Sequence, residues 1–216
     1  MNWEELNPYK TVIFANGEMP AHEIALQQLR NAETIICCDG AVTKLLKLGF
    51  EPAVIVGDGD STPPEILAKY ANIFIQDKDV NYNDFNKAFR YALKNDLNKI
   101  AVIGAFGLRE DHALANLSIA LMFAEEEHLD IVMISNSGIF TPIFQTTVFQ
   151  SFHGQQVSIF SFHPDTCFTF SNLKYPVERR IFRHFWEGSL NEALTDNFTI
   201  YLEKGRGLVF REFQVI

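Results

Sequence analysis

The chain has 216 residues, 47% of them hydrophobic, which is enough to bury a core in one domain or two small ones and too much for a disordered polymer. Its formal charge is −9 and no run of lysine and arginine interleaved with aromatics occurs, which argues against a general nucleic-acid or anionic-membrane surface, so any bound phosphate must be held locally. No apolar stretch approaches the roughly 18 residues needed to cross a bilayer, and the opening MNWEELNPYK lacks the charged and apolar parts of a signal peptide, so the expected compartment is the cytoplasm.

In chain order, the first two thirds alternate between short apolar runs and segments of helical period. TVIFAN, TIICCD, AVIVGD, NIFIQD, KIAVIGAF and DIVMISNS read as strands, and most end in Asp, Asn or Gly. Between them, helices are expected over residues 22–31, 41–48, 63–70, 83–94 and 111–127. In the fourth, Phe85, Ala88, Phe89, Ala92 and Leu93 recur at i, i+3, i+4, i+7 and i+8, building one apolar face. Strict alternation of strand and helix implies a mostly parallel sheet flanked by helices.

After about residue 136 the texture changes to alternating runs such as QQVSIFSF, CFTFSNLKY, NFTIYLE and GLVFREF, with EKGRG as a turn. Period-two alternation predicts antiparallel strands, hence a smaller β-sandwich. The fold class is therefore α/β plus all-β, with an α/β domain over residues 1–140 and a β-sandwich over 141–216. Of the three cysteines, Cys37 and Cys38 are adjacent and none forms a C-x-x-C pair, which argues against a disulfide framework and a zinc site; Cys37 and Cys38 read as strand core.

Acidic residues gather at expected strand ends and helix starts: Asp39 in CCDGA, Asp58 and Asp60 in GDGDS, Asp84 in NYNDFNKA and Asp111 in LREDHALAN. A single Asp at a helix start reads first as a cap, because its oxygen accepts from unpaired first-turn N–H groups. At GDGDST that role is expected to fall to Thr62, since Thr62-Pro63-Pro64-Glu65 fits a capping box. Asp58 and Asp60 then lack a structural task. Paired carboxylates raise one another's pKa unless a cation compensates, and Mg²⁺ with its oxygen ligands is the first candidate; a solvated acidic turn is the alternative. Gly104 to His112, GAFGLREDH, joins a strand end to a helix start with two glycines and Arg109, a pattern suited to an anion. The chain has no Walker or dinucleotide glycine motif, no H-E-x-x-H and no G-x-S-x-G, so zinc- and serine-hydrolase chemistry is unsupported.

In this order the stretches DGAVTKLLKLGFEPAVIVGDGDST, NDFNKAF, GAFGLREDHALANL, SNLKYPV and GSLNEAL resemble the thiamine pyrophosphokinase family, over Asp39 to Glu192. The resemblance implies a Mg²⁺-dependent transfer of diphosphate from ATP to the hydroxyl of thiamine, giving thiamine diphosphate and AMP. It implies that Asp58, Asp60 and Asp84 hold the metal, that Asp39 completes the acidic site and that Arg109 contacts phosphates. It further implies that Asp111 and His112 line the substrate pocket, that Tyr175, Ser189 and Asn191 touch thiamine, and that the enzyme is a homodimer. Leu108 stands where the family pattern has glycine, and Leu190 interrupts its S-N-E. Competing readings are a diphosphokinase for another hydroxymethyl heterocycle such as a pterin, and a non-catalytic thiamine- or nucleotide-binding relative.

Overall fold

The computed structural model describes residues 3–214, so the outer ends of the two expected domains, at residues 1–2 and 215–216, lie outside the described residues. The chain divides into two compact units, one spanning Leu6–Asn136 and the other combining the residues up to Glu5 with the chain from Ser137 onward, so the divisions fall after Glu5 and after Asn136.

The first unit alternates as the apolar runs require. Its elements are β1 (Thr11–Phe14), α1 (Glu23–Arg30), β2 (Thr34–Cys38), α2 (Val42–Lys47), β3 (Val54–Gly57), α3 (Pro64–Lys69), β4 (Phe74–Gln76), α4 (Asp84–Lys94), β5 (Lys99–Ile103), α5 (Glu110–Glu126) and β6 (Asp130–Ile134). The strands pair in parallel in the order β6-β5-β1-β2-β3-β4. Val12, Ile13, Ile36, Ile55 and Val102 are buried, as continuous apolar strands covered on both faces must be. Among the described residues β4 has one strand neighbour, β3, and its Ile75 is exposed, because an edge strand has less to pack against. On α4, Phe85, Ala88, Phe89 and Ala92 are buried, and the Phe89 ring stacks on Phe123 of α5 at 4.9 Å.

Chain order and sheet order part company at β1. The chain runs outward through β2, β3 and β4, then returns across the sheet to place β5 on the other side of β1. Such a reversal opens a crevice beyond the carboxyl ends of the two central strands, where α/β sheets hold ligands.

The helix starts correct three expectations. α3 begins at Pro64 after Pro63 with no side-chain cap, so the capping box at Thr62 does not form. α4 is capped by Asn83, whose Oδ1 accepts from Asn86 N at 2.9 Å, which leaves the Asp84 carboxyl free of capping. α5 likewise begins without a side-chain cap, so Asp111 does not serve as one.

The second unit is antiparallel: β7 (Gly138–Ile143), β8 (Thr147–Gln150), β9 (Gln156–Ser161), β10 (Cys167–Ser171), β11 (Arg180–Ile181), β12 (Gly188–Glu192), β13 (Asn197–Lys204) and β14 (Gly207–Glu212). Within it the strands run β12-β9-β14-β7 and β11-β10-β13-β8. The EKGRG turn is not a hairpin: β13 pairs with β10 and β8, β14 with β7 and β9, so the turn passes from one sheet to the other. Side chains from both sheets, including Ile159, Val209, Phe168, Phe170, Phe198 and Ile200, make one core.

Phe168 is fully buried, with ring centroids of Phe182 and Phe170 at 5.0 and 5.7 Å. Phe168→Ala is expected to cost about 3–5 kcal/mol, read as a lowered urea midpoint, because the sandwich can only partly collapse around the lost ring; a loss under about 1 kcal/mol would contradict this packing.

Candidate functional site

A cavity of about 370 Å³ lies in the Leu6–Asn136 unit, lined by groups that follow β1 (Ala15, Asn16, Gly17) and β5 (Ala105, Phe106), at the point where strand order reverses. Ser61, Asn83, Asp84, Arg109, His112 and Asn116 complete most of its wall.

Beside it, the turn after β2 and the loop after β3 bring Asp39, Asp58 and Asp60 together, with one carboxylate oxygen of each lying within 4.8 Å of the others. Asp39 is fully buried. Its Oδ2 accepts from Gly59 N at 2.9 Å and Ser61 N at 3.4 Å, and its Oδ1 accepts from the Thr62 hydroxyl. Asp58 Oδ1 accepts from Asp60 N at 3.1 Å, and Ser61 Oγ donates to Asp60 Oδ1 at 2.7 Å. Two glycines make this possible. Gly59 turns with φ +89°, a conformation most side chains resist. At Gly57 a Cβ would fall 2.3 Å from Asp39 Cβ and 3.1 Å from Asp84 Cγ, so only glycine lets those two acids approach β3.

The electrostatics differ among the acids. The N–H of Asp60 holds the Asp58 carboxyl below its ordinary range. Asp84 is pushed up to about 6, chiefly by burial and further by the charges of Asp39 and Asp58, while Lys87 opposes the shift. Lys87 is itself buried, donating to Asp77 O at 2.8 Å and lying 3.5 Å from Asp84 Oδ1.

Arg109 is exposed and gripped by Asp111, with Nε to Oδ1 at 3.0 Å and Nη2 to Oδ2 at 2.6 Å. Its fork is thus engaged at the cavity mouth, and an anion entering there competes with Asp111 for it. His112 and Leu108 also line the cavity, and Leu108 is exposed. Sequence reasoning passed over Asn16, Gly17 and Lys44. The Lys44 ammonium donates to the Asn16 and Gly17 carbonyls at 2.9 and 2.6 Å, bracing the strand end that lines the cavity. The signal was present as Asn-Gly directly after the first apolar run. Asn116, present in the quoted GAFGLREDHALANL but given no role, lines the cavity and donates to Ala105 O at 2.9 Å.

Tyr175, Ser189 and Asn191 belong to the other unit. Asn191 is buried; its Oδ1 accepts from Tyr175 N at 3.0 Å and Glu192 N at 2.9 Å, and its Nδ2 donates to Tyr175 O at 2.9 Å. Those bonds use both lone pairs of its oxygen and one of its two N–H donors, so a ligand role for it falls to the second N–H. Ser189 Oγ donates to Trp186 O at 2.7 Å, whereas the Tyr175 ring is exposed.

Two family models match in tandem: "Thiamin pyrophosphokinase, catalytic domain" over residues 25–133, and "Thiamin pyrophosphokinase, substrate-binding domain" over residues 138–210. The chain belongs to the thiamin pyrophosphokinase family. Among curated family members, it is similar to thiamin pyrophosphokinase 1 of Caenorhabditis elegans, 30% identical over 135 residues, covering 58% of this chain and 55% of that protein. It is also similar to thiamine pyrophosphokinase 1 of Oryza sativa subsp. japonica, 25% identical over 150 residues with the same two shares. The chain thus spans about half the length of these curated relatives. Among solved structures, thiamine pyrophosphokinase from Bacillus subtilis superposes with a TM-score of 0.82 at 20% identity, covering 95% of this chain and 100% of that one. The Candida albicans enzyme gives 0.81 at 15% identity, covering 97% and 91%. At these identities the likeness is one of fold.

Asp84 gives the site a pH signature. Its folded pKa, about 6, lies above its unfolded value, so its contribution to stability is full below the unfolded pKa and is lost as pH rises through about 6. In chelator-treated protein, the melting temperature of Asp84→Asn relative to the parent is therefore expected to rise between pH 4 and pH 7. A flat difference across that range would refute the buried, charge-crowded environment.

Proposed function

We propose that this chain transfers the β,γ-diphosphate of ATP to the hydroxyl of thiamine, yielding thiamine diphosphate and AMP. The observation that carries the reading is the meeting of Asp39, Asp58 and Asp60 beside a cavity at the strand-order reversal, in a chain of this family. In the transfer the acceptor oxygen bonds to the β-phosphorus and gives up its proton to solvent, while the bond from that phosphorus to the oxygen of the α-phosphate breaks, releasing AMP. Such chemistry asks a protein for positioning and charge stabilisation more than for a covalent intermediate.

The donor set suits a hard divalent cation: all its ligands are carboxylate oxygens, and close carboxylates repel without one. Mg²⁺ is the proposed ion, with Asp58 and Asp60 as ligands and Asp84, by the resemblance, as a third. When bound it would neutralise charge on the migrating diphosphate. Asp39 enters this reading as the organiser of the loop, since its oxygens are taken up by Gly59, Ser61 and Thr62. Arg109, released from Asp111, is the proposed phosphate contact, and the first-turn N–H groups of α5 add positive partial charge on the same side. His112 and Asp111 are proposed to border the acceptor.

The match of residues 138–210 to a substrate-binding domain named for thiamin favours thiamine over a pterin as acceptor. The exposed Tyr175 ring is the stronger of the three proposed thiamine contacts in that unit; Ser189 and Asn191 are already bonded within it. A homodimer and a cytoplasmic location belong to the same reading. The free, buried Cys37 and Cys38 suit a reducing compartment, and no described helix is long and apolar enough to cross a membrane.

The experiment is phosphorus NMR of the protein with ATP, Mg²⁺ and thiamine. AMP and a diphosphate ester are expected to appear together, and only with both thiamine and Mg²⁺ present. Asp58→Asn and Asp60→Asn are each expected to lower turnover by about 100-fold or more with an unchanged thermal melt. Persistence of ATP in the parent sample, or its conversion to ADP, would overturn the reaction; full activity in either variant would overturn the metal assignment.

A further inference from the structure

Thr62 sits one residue past the acidic loop and is 5% exposed. Its hydroxyl does not cap α3, which has no side-chain cap; it turns back to Asp39, reaching the main-chain oxygen at 2.8 Å and the carboxylate Oδ1 more closely. The other carboxylate oxygen, Oδ2, receives the N–H groups of Gly59 and Ser61. One buried carboxylate is therefore held from the side by Thr62 while it holds the loop that carries Asp58 and Asp60. Remove the hydroxyl and Oδ1 loses its donor in a site closed to water, so the carboxylate is free to rotate and release the loop amides.

We propose that Thr62 is a positioning residue whose hydroxyl locks Asp39 and, through it, sets the spacing of Asp58 and Asp60 that receives a divalent cation. The proposal rests on the metal assignment made above. Thr62 touches neither cavity nor substrate in this role; it acts as an outer partner acts on a ligand carboxylate, by fixing orientation.

Thr62→Val keeps the shape and deletes the hydroxyl, whereas Thr62→Ser keeps the hydroxyl and deletes the methyl. Binding of Mn²⁺ alone, read by electron paramagnetic resonance as loss of the free-ion signal, is expected to weaken about 10- to 100-fold in Thr62→Val and to stay within about threefold of the parent in Thr62→Ser. Hydrogen exchange over residues 57–62 is expected to accelerate in Thr62→Val alone, with exchange in β1, β5 and β6 unchanged. Should the valine variant fail to fold, Thr62→Ala carries the same comparison. Mn²⁺ affinity in Thr62→Val within threefold of the parent, or equal loss in the serine variant, overturns the proposal. A parent that binds Mn²⁺ yet forms no AMP from ATP and thiamine removes the proposed reaction while the positioning test still reads out; a parent that binds no Mn²⁺ overturns the metal assignment and this proposal together.

Discussion

The carboxylate of Asp39 is withdrawn from solvent at the carboxyl end of β2 and accepts from two loop amides and a hydroxyl. A buried carboxylate without such donors is costly enough to be protonated or expelled, so these contacts are a condition of its being there. They also define the loop: Gly59, Ser61 and Thr62 all turn inward to the same group, and Asp58 and Asp60 each keep a carboxylate oxygen within 4.8 Å of one on Asp39. The acidic centre thus depends on a residue whose own oxygens are spent on structure.

The parallel sheet makes this economy of residues possible. β2 and β3 are neighbours in register, Cys38 opposite Val56, so their carboxyl ends deliver Asp39 and the GDGDS loop side by side. α4 starts against the same edge, and the bare α-carbon of Gly57 admits Asp84 between them. Burial there raises the Asp84 pKa, and Lys87 one turn along the helix offsets part of the repulsion. On the other side of β1, the β5 turn contributes glycines and Arg109, so Asp84 and the Arg109–Asp111 ion pair border one cavity.

The antiparallel unit follows different constraints. Its large aromatics divide by burial: Phe168, Phe170 and Phe182 lie in the core between the two sheets, whereas Phe185 and Trp186 are exposed, Phe185 stacking on Phe160 at 4.7 Å. Leu190, the residue that interrupts the family's S-N-E, has φ +59° at an irregularity in the pairing of β12 with β9. The inserted residue is accommodated by a bulge, which keeps Asn191 turned inward to bridge the Tyr175 backbone.

The strands and helices of the first unit were legible because apolar runs and 3.6-residue periodicity are local properties, as Phe85, Ala88, Phe89 and Ala92 illustrate. Two carboxylates around one glycine also marked the GDGDS loop in the sequence, where Asp58 and Asp60 gather with Asp39. What only the tertiary structure decided is which atoms meet. Thr62 reads locally as a helix cap and serves instead as a donor to Asp39, 23 positions away in sequence. Lys87, within NDFNKAF, is buried against Asp77 and Asp84. The family resemblance implies a thiamine contact for Asn191, and the structure shows its amide bonded to main chain 16 positions away. The EKGRG segment reads as a turn, and only the strand pairing shows that it joins two sheets. For Thr62 the local capping preference is worth about 1 kcal/mol, and the demand of the buried Asp39 carboxylate for donors outweighs it.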